Sequence, residues 1–304
     1  MQPVSAKKAF YIKLGRSGDW EKECFNEGTL RFGYRETPHD LCIKGAWDGV
    51  WNVWNERRGD GGTATRDTKQ IRTFYEADEQ TVFITFANGL LYWCHPKGPV
   101  EVLPDGGRRR ATVDGWHSQS VNGKALSSDR ISGHLLKVQM FRGTICQVKH
   151  LDYLLRKIND ELSPEVEAAE AAERALMTAI VGLMRHLTWQ DFELLVDLVF
   201  SASGWRRIGV TGRVQKTVDL ELVLPSTGER AFVQIKSQAN AGHLEDYAAR
   251  FDQADLYDRM FFVWHSGTLS ADDTQDGITL IGPERLSRMV LDAGLSSWLR
   301  EKVS

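Results

Sequence analysis

The stretch VDLELVLPSTGERAFVQIKSQA, Val218 to Ala239, limits the fold of the second half of the chain more than any other. Two runs alternate with period two around PSTGE, a cluster of turn residues, so a β-hairpin is expected. In the first run Val218, Leu220, Leu222 and Leu224 share one face, leaving Thr217, Asp219, Glu221 and Val223 on the other. In the second, Phe232 shares a face with Gln234, Lys236 and Gln238, while Val233 and Ile235 point the opposite way. Pairing through the turn would carry Asp219 towards Gln234 and Lys236, with Glu221 as a second acid nearby. The register stays open, because a slip changes the partners.

The hairpin has helical and strand neighbours. In LTWQDFELLVDLVFSASGW, Thr188 and Asp191 form a capping pair, Phe192, Leu195, Val196 and Val199 give a buried stripe, and Gly204 is a stop. After the hairpin come a helix (GHLEDYAARF), two strands (RMFFVWHSG and GITLIG) and a closing helix (PERLSRMVLDAGLSSWLREKV). This order predicts a compact α/β domain with a mixed central sheet over 186–304. Upstream, the Ala, Glu and Leu content of LDYLLRKINDELSPEVEAAEAAERALMTAIVGLMRHL predicts a helical connector over 153–185, with one helix ending near Asp160 and another starting close to Ser163, where Pro164 fits a first turn.

Residues 1–152 read as a mainly β domain, a small barrel with packed helices. Short strands are expected in AFYIKLG, TLRFGY, QTVFITFANGLLYWC, GPVEVL and HLLKVQMF. In AWDGVWNVWNERR, Trp47, Trp51 and Trp54 fall at helical spacing and read as a packed stripe. The chain has 304 residues, of which 42% are hydrophobic, enough to fill two cores. Its formal net charge of -3 announces neither a nucleic-acid nor a membrane partner, so local charge must carry that argument. No apolar run reaches signal-peptide or membrane-spanning length, and a soluble, cytoplasmic protein is expected. Cys24, Cys42, Cys94 and Cys146 are too scattered for a local zinc knuckle and read as buried thiols; the alternative is a metal site assembled with His39 or His95.

The chemistry-bearing residues lie around the hairpin. A carboxylate at a strand end (Asp219), a second oxygen ligand one strand over (Gln234), a lysine beside them (Lys236) and an acid on the preceding helix (Glu193) are the parts that hold a hard divalent ion and stabilise charge on a phosphate being hydrolysed. Between Ser201 and Val218 the bases Arg206, Arg207, Arg213 and Lys216 face no acid, which suits contact with a phosphate backbone or simply a solvated loop.

The order Glu193, Asp219, Gln234-x-Lys236, in the words DFELLVDLVFSASGW, GVTGRVQKTVDLEL and FVQIKSQ, resembles the PD-(D/E)xK nuclease superfamily, in particular its Mrr-like restriction endonucleases. The resemblance covers roughly 186–300. It implies a restriction-endonuclease-like fold, Asp219 as the central metal ligand, Gln234 in the second acidic position, Lys236 as the charge-stabilising lysine and Glu193 as the supporting helix acid, with Glu221 an alternative ligand. Implied too are Mg²⁺, replaceable by Mn²⁺, and hydrolysis of double-stranded DNA by a homodimer, the task being restriction or anti-phage defence.

The first domain has its own basic bias: from Gly106 to His150 there are eight Lys or Arg against two Asp, with Arg108, Arg109 and Arg110 near Trp116, an arrangement that could grip a strand or be a solvated turn. The stretches FYIKLGRSGDWEKECFNEGTLRFGY and GHLLKVQMFRGTICQV look similar to PUA-like domains of the EVE type over roughly 8–150. That implies a nucleobase pocket, with Trp20 and Trp47 as conceivable walls, and a substrate carrying a modified base. Other readings stay open: a nucleotide-activated nuclease effector, an RNA or branched-DNA nuclease, and an inactive nucleic-acid-binding protein.

Overall fold

The computed structural model describes residues 2–208, 219–254, 256–270 and 277–304. The chain divides into two compact units, 1–163 and 164–304. Both are α/β.

The first unit contains β1 (Lys8–Ile12), α1 (Glu21–Glu27), β2 (Thr29–Phe32), α2 (His39–Ile43), α3 (Trp47–Arg58), α4 (Gly61–Glu76), β3 (Thr81–Ala87), β4 (Leu90–Val102), β5 (Arg108–His117), α5 (Gly133–Leu136), β6 (Ile145–Gln147) and α6 (Leu151–Asn159). Its six strands run in the order β2-β5-β4-β3-β1-β6, so the small barrel with helices expected from sequence is a six-stranded half-barrel with helices. One face of the sheet is covered by Val50 and Trp54 of α3 and Ile71 and Phe74 of α4, packed on Ile12, Phe32 and Phe83. On the other, Leu135, Leu154 and Ile158 pack on Val82, Ile84 and Trp93. The tryptophan stripe is therefore a packing face, with Trp54 buried and Trp47 and Trp51 at its edge.

Two expectations for this unit fail for identifiable reasons. HLLKVQMF is not a strand: Ser132 Oγ accepts the His134 N–H, and this cap starts α5, which runs into a short 3-10 turn through Met140. RRRATVDGWH, read as a basic loop, is β5, the partner of both β2 and β4. The strands expected in LLYWC and GPVEVL are one element, β4, which tolerates Pro96 because its register with β5 shifts on either side.

The second unit contains α7 (Pro164–Met184), α8 (Trp189–Ala202), β7 (Arg206–Arg207), β8 (Leu220–Leu224), β9 (Glu229–Ala239), α9 (Ala241–Asp252), β10 (Arg259–Gly267), β11 (Ile278–Ile281), α10 (Pro283–Asp292) and α11 (Ser296–Val303). Its mixed sheet runs β11-β10-β9-β8-β7, with β9, β10 and β11 parallel and the hairpin antiparallel. Thr188 Oγ accepts the Asp191 N–H at 3.2 Å to begin α8, and Gly204 at φ +90° follows its end. The stripe Phe192, Leu195, Val196 and Val199 packs with Ile180, Met184, Leu286 and Leu299 on the face of Leu220, Leu222, Val233 and Ile235. Leu244 and Ala248 of α9 cover the opposite face through Phe232 and Phe262. At the end of β10 the backbone of Gly267 lies so close to Ala239 that a Cβ would meet the Ala239 carbonyl oxygen at 2.0 Å, which ties β9 to β10 where no side chain fits. The single closing helix expected from sequence is broken into α10 and α11 at Gly294, φ +70°.

Among the described residues no helix is long and apolar enough to cross a membrane.

Candidate functional site

The hairpin register settles what the sequence left open. Leu220 pairs with Val233 and Glu221 with Phe232, so continuing the ladder places Asp219 across from Gln234. Asp219 Oδ2 accepts the Ile235 N–H at 2.7 Å and a second hydrogen bond from Gln234 Nε2. These two donors fix the carboxylate, and Asp219 Oδ1 carries no hydrogen bond among the described residues. Gln234 is 1% exposed, and its Oε1 is buried without a partner among the described residues. A buried amide oxygen left unsatisfied costs about 1–3 kcal/mol. Such an orphan beside a held carboxylate is what a hard cation would satisfy, so the donors fit a divalent ion.

Lys236 lies two residues along the same face of β9. Its Nζ sits over the Tyr247 ring, 5.1 Å from the centroid, and the Arg250 guanidinium lies 4.7 Å from the same centroid. Tyr247 escaped the sequence reading. The available signal was helical spacing: Leu244, Tyr247, Ala248 and Phe251 make the apolar stripe of α9, which has to lie on the face that carries Phe232, Gln234 and Lys236.

Glu193 projects from α8 and is felt by the other charges. Burial, then the Asp219 charge, raises its pKa above the usual range, against the pull of Arg207 and Lys236. Asp219 is also raised by burial, opposed by the Ile235 N–H, Lys236 and Gln234. Thus Glu193 feels the charges of Asp219, Arg207 and Lys236, and Asp219 feels that of Lys236. Both carboxylates have folded-state values above their unfolded ones, so as anions they oppose folding at neutral pH, and the penalty vanishes as pH falls through the folded values. Glu193→Gln is accordingly expected to raise the melting temperature of metal-free protein at pH 7 and to leave it unchanged in acid, which thermal melts at the two pH values check.

Glu221 lies two residues along the chain from Asp219. It faces Phe232 in the ladder, and its charge lies beside the Tyr257 hydroxyl, whose pKa is pushed up to about 12 by burial and by this carboxylate. The register puts Gln234, and not Glu221, in line with Asp219 across the hairpin. Among the described residues no group of three His, Cys, Asp or Glu is placed to hold a metal. An ion at Asp219 would therefore complete its shell with the Gln234 amide, backbone, water or phosphate oxygens, the habit of Mg²⁺.

The other expected residues are scattered. Arg206 and Arg207 form the exposed edge strand β7, with Arg207 3.6 Å from Asp197; Arg213 and Lys216 lie outside the described residues. Arg108 and Arg110 are not available to a nucleic acid. As alternate residues of β5 they point inward, 2% and 6% exposed. Arg108 donates to the Tyr75 hydroxyl and the Thr37 carbonyl, and Arg110 to the carbonyls of Phe74, Ala77 and Gly98. Arg109, facing outward, pairs with Glu101 at 3.0 Å and Glu27 at 3.6 Å. Trp116 donates its Nε1–H to the Thr29 carbonyl and packs edge-on against Phe25.

Trp20 and Trp47 do not share a pocket. Trp47 borders a cavity of about 700 Å³ with Phe10, Trp51, Lys69 and Arg72, whereas Trp20 borders one of about 720 Å³ with Tyr34, Trp54, Arg57 and Arg142. The cysteines are all free thiols; Cys24, Cys42 and Cys94 are buried, burial raises the pKa of every one, and none forms a metal group with His39 or His95 among the described residues.

No protein-family model, curated protein or solved structure matches the chain.

Proposed function

We propose that the second unit is a Mg²⁺-dependent nuclease of the PD-(D/E)xK kind that hydrolyses phosphodiester bonds in double-stranded DNA. The observation that carries this reading is a held carboxylate, Asp219, beside a Gln234 that donates to it through Nε2 while its own Oε1 is buried and, among the described residues, unpartnered, two residues before Lys236. Asp219 and Gln234 would hold the cation, with Glu193 alongside. When bound, it would supply Lewis-acid charge at the scissile phosphate and ease deprotonation of an attacking water.

The chain's own residues do the rest. The Ile235 N–H and Gln234 Nε2 keep the Asp219 carboxylate in one orientation. The Lys236 ammonium, steadied by the Tyr247 ring, stabilises the negative charge that grows on the phosphate oxygens. Arg206 and Arg207 on the exposed edge strand meet the backbone on either side of the cut. Mn²⁺ would substitute for Mg²⁺, and cutting both strands would take two copies of the chain, as in a homodimer.

The first unit is proposed as the reader, a PUA-like module of the EVE type that directs the cutter to DNA carrying a modified base, as suits restriction of invading DNA. Its support is narrower than the sequence suggested, since Arg108 and Arg110 are spent on backbone carbonyls and the Tyr75 hydroxyl. The aromatic and basic cavity around Trp20, Tyr34 and Trp54 keeps the reading in play. The test is a substrate panel of unmodified plasmid, phage DNA with modified cytosines and structured RNA, each with Mg²⁺ or EDTA. DNA cleaved only with the metal, and faster when modified, is the expected result; cleavage of RNA alone would move the function to RNA, and stimulation of plasmid cutting by added nucleotides would favour a nucleotide-activated effector.

A further inference from the structure

A cavity of about 460 Å³ is walled by Trp264 to Gly267 at the end of β10 and by Pro283 and Glu284 at the start of α10, with Arg185 and Leu269 beside them. None of Asp219, Gln234, Lys236 or Glu193 is among its walls. His265 is 5% exposed and its Nε2 has no hydrogen-bond partner among the described residues. Its Nδ1 lies 2.9 Å from Ser266 Oγ, and Phe192 meets the ring edge-on at 4.5 Å. Burial, then the nearby Arg185 charge, lower the imidazole pKa against a hydrogen bond to the residue's own backbone and so favour the neutral ring. The roles in the Nδ1–Ser266 contact follow the tautomer, and the tautomer in which the Ser266 hydroxyl donates to Nδ1 carries the proton on Nε2 as an unused donor.

The surrounding charge says what would use it. Arg185 is exposed and makes no ion pair among the described residues. The ten-residue helix α10 begins at Gly282 without a side-chain cap, and Pro283 at its first position leaves the next N–H groups at the positive end of the helix. Glu284 is the single acidic wall, and it is exposed to water. A guanidinium, an imidazole N–H and a helix start select an anion, and the fork of an arginine suits a tetrahedral oxyanion.

We propose that this cavity is a site for a tetrahedral phosphate oxyanion, held by the Arg185 guanidinium, His265 Nε2–H and the start of α10. The volume exceeds that of phosphate alone and leaves room for whatever carries it, so the ligand is either free phosphate or the terminal phosphate of a nucleic-acid strand. The site stands apart from the nuclease reading and does not depend on it.

Nuclear magnetic resonance on the full chain tests this. The His265 side chain is identified as the resonance missing from His265→Gln among the eight histidines. Millimolar inorganic phosphate is expected to shift that resonance saturably, and Arg185→Gln, at an exposed position, to weaken the response by about tenfold while keeping the wild-type melting curve. A 5′-phosphorylated dinucleotide that acts where its 5′-hydroxyl counterpart does not identifies a strand end as the ligand, and a response to inorganic phosphate alone identifies the free ion. A His265 resonance that moves with neither, or that moves equally in Arg185→Gln, overturns the site. Inactivity of the chain on DNA would leave each of these results unchanged.

Discussion

Asp219→Ala is expected to lower Mg²⁺-dependent cleavage by about 10³-fold or more, and Lys236→Ala by about 10²–10³-fold, the loss typical of removing one charge-stabilising group. The two variants should separate by a second readout. Asp219 would be a ligand, so its loss should also abolish Mn²⁺ binding followed by electron paramagnetic resonance. Lys236 touches the Tyr247 ring and no ligand atom, so its loss should leave Mn²⁺ binding close to wild type while the rate falls. Because Asp219 Oδ2 also satisfies the Ile235 N–H, a melting curve belongs beside each rate, and Asp219→Asn, which retains an acceptor for that N–H, separates lost chemistry from lost fold. The rate should decline with falling pH from above the ordinary carboxylate range, since both Asp219 and Glu193 are raised by burial and have to be ionised.

The second large effect is on stability. Arg110→Ala should destabilise the first unit by about 3 kcal/mol or more, because it leaves the carbonyls of Phe74, Ala77 and Gly98 without their donor in a buried place. For a unit of this size that is a fall in melting temperature of about 6–12 °C. Arg109→Ala, which breaks only exposed ion pairs with Glu101 and Glu27, should change stability by about 1 kcal/mol or less. The contrast is readable by calorimetry on the full chain. Equal melting of the two variants would contradict the inward placement of Arg110, and a loss of DNA affinity confined to Arg109→Ala would assign the exposed face of β5 to the nucleic acid.

Local rules made the second unit the more legible of the two. Period-two alternation around PSTGE announces β8 and β9, with Asp219 on the polar face of the first run and Gln234 and Lys236 on one face of the second. The Thr188 cap, the Phe192 stripe and Gly204 delimited α8 for the same reason, since capping and spacing act within one element. What could not be read is what depends on pairing between elements. The register that opposes Asp219 to Gln234 and sends Glu221 towards Tyr257 is a property of two strands together. The seat of Lys236 on Tyr247 depends on how α9 lies on the sheet.

In the first unit the failures have a common cause. RRRATVDGWH looked like a solvent-facing basic loop because three arginines in a row are seldom buried. The strand turns Arg108 and Arg110 inward, and buried carbonyls meet them there. Trp20 and Trp47 were joined by residue type alone, and the fold gives each its own cavity. α4 was missed altogether: GGTATRDTKQIRTFYE has a weak apolar stripe, and it is helical because Asp60 caps it and Ile71 and Phe74 find the sheet.

The central claim is that Asp219, Gln234 and Lys236 form one metal-dependent hydrolytic centre. Its most direct test is the conversion of supercoiled plasmid to nicked and linear forms by purified wild type, with Mg²⁺ and again after EDTA, next to folded Lys236→Ala. Cleavage in Mg²⁺ that stops in EDTA and is nearly absent in Lys236→Ala is the predicted result. Cutting that persists in EDTA, or equal cutting by wild type and Lys236→Ala, would contradict it.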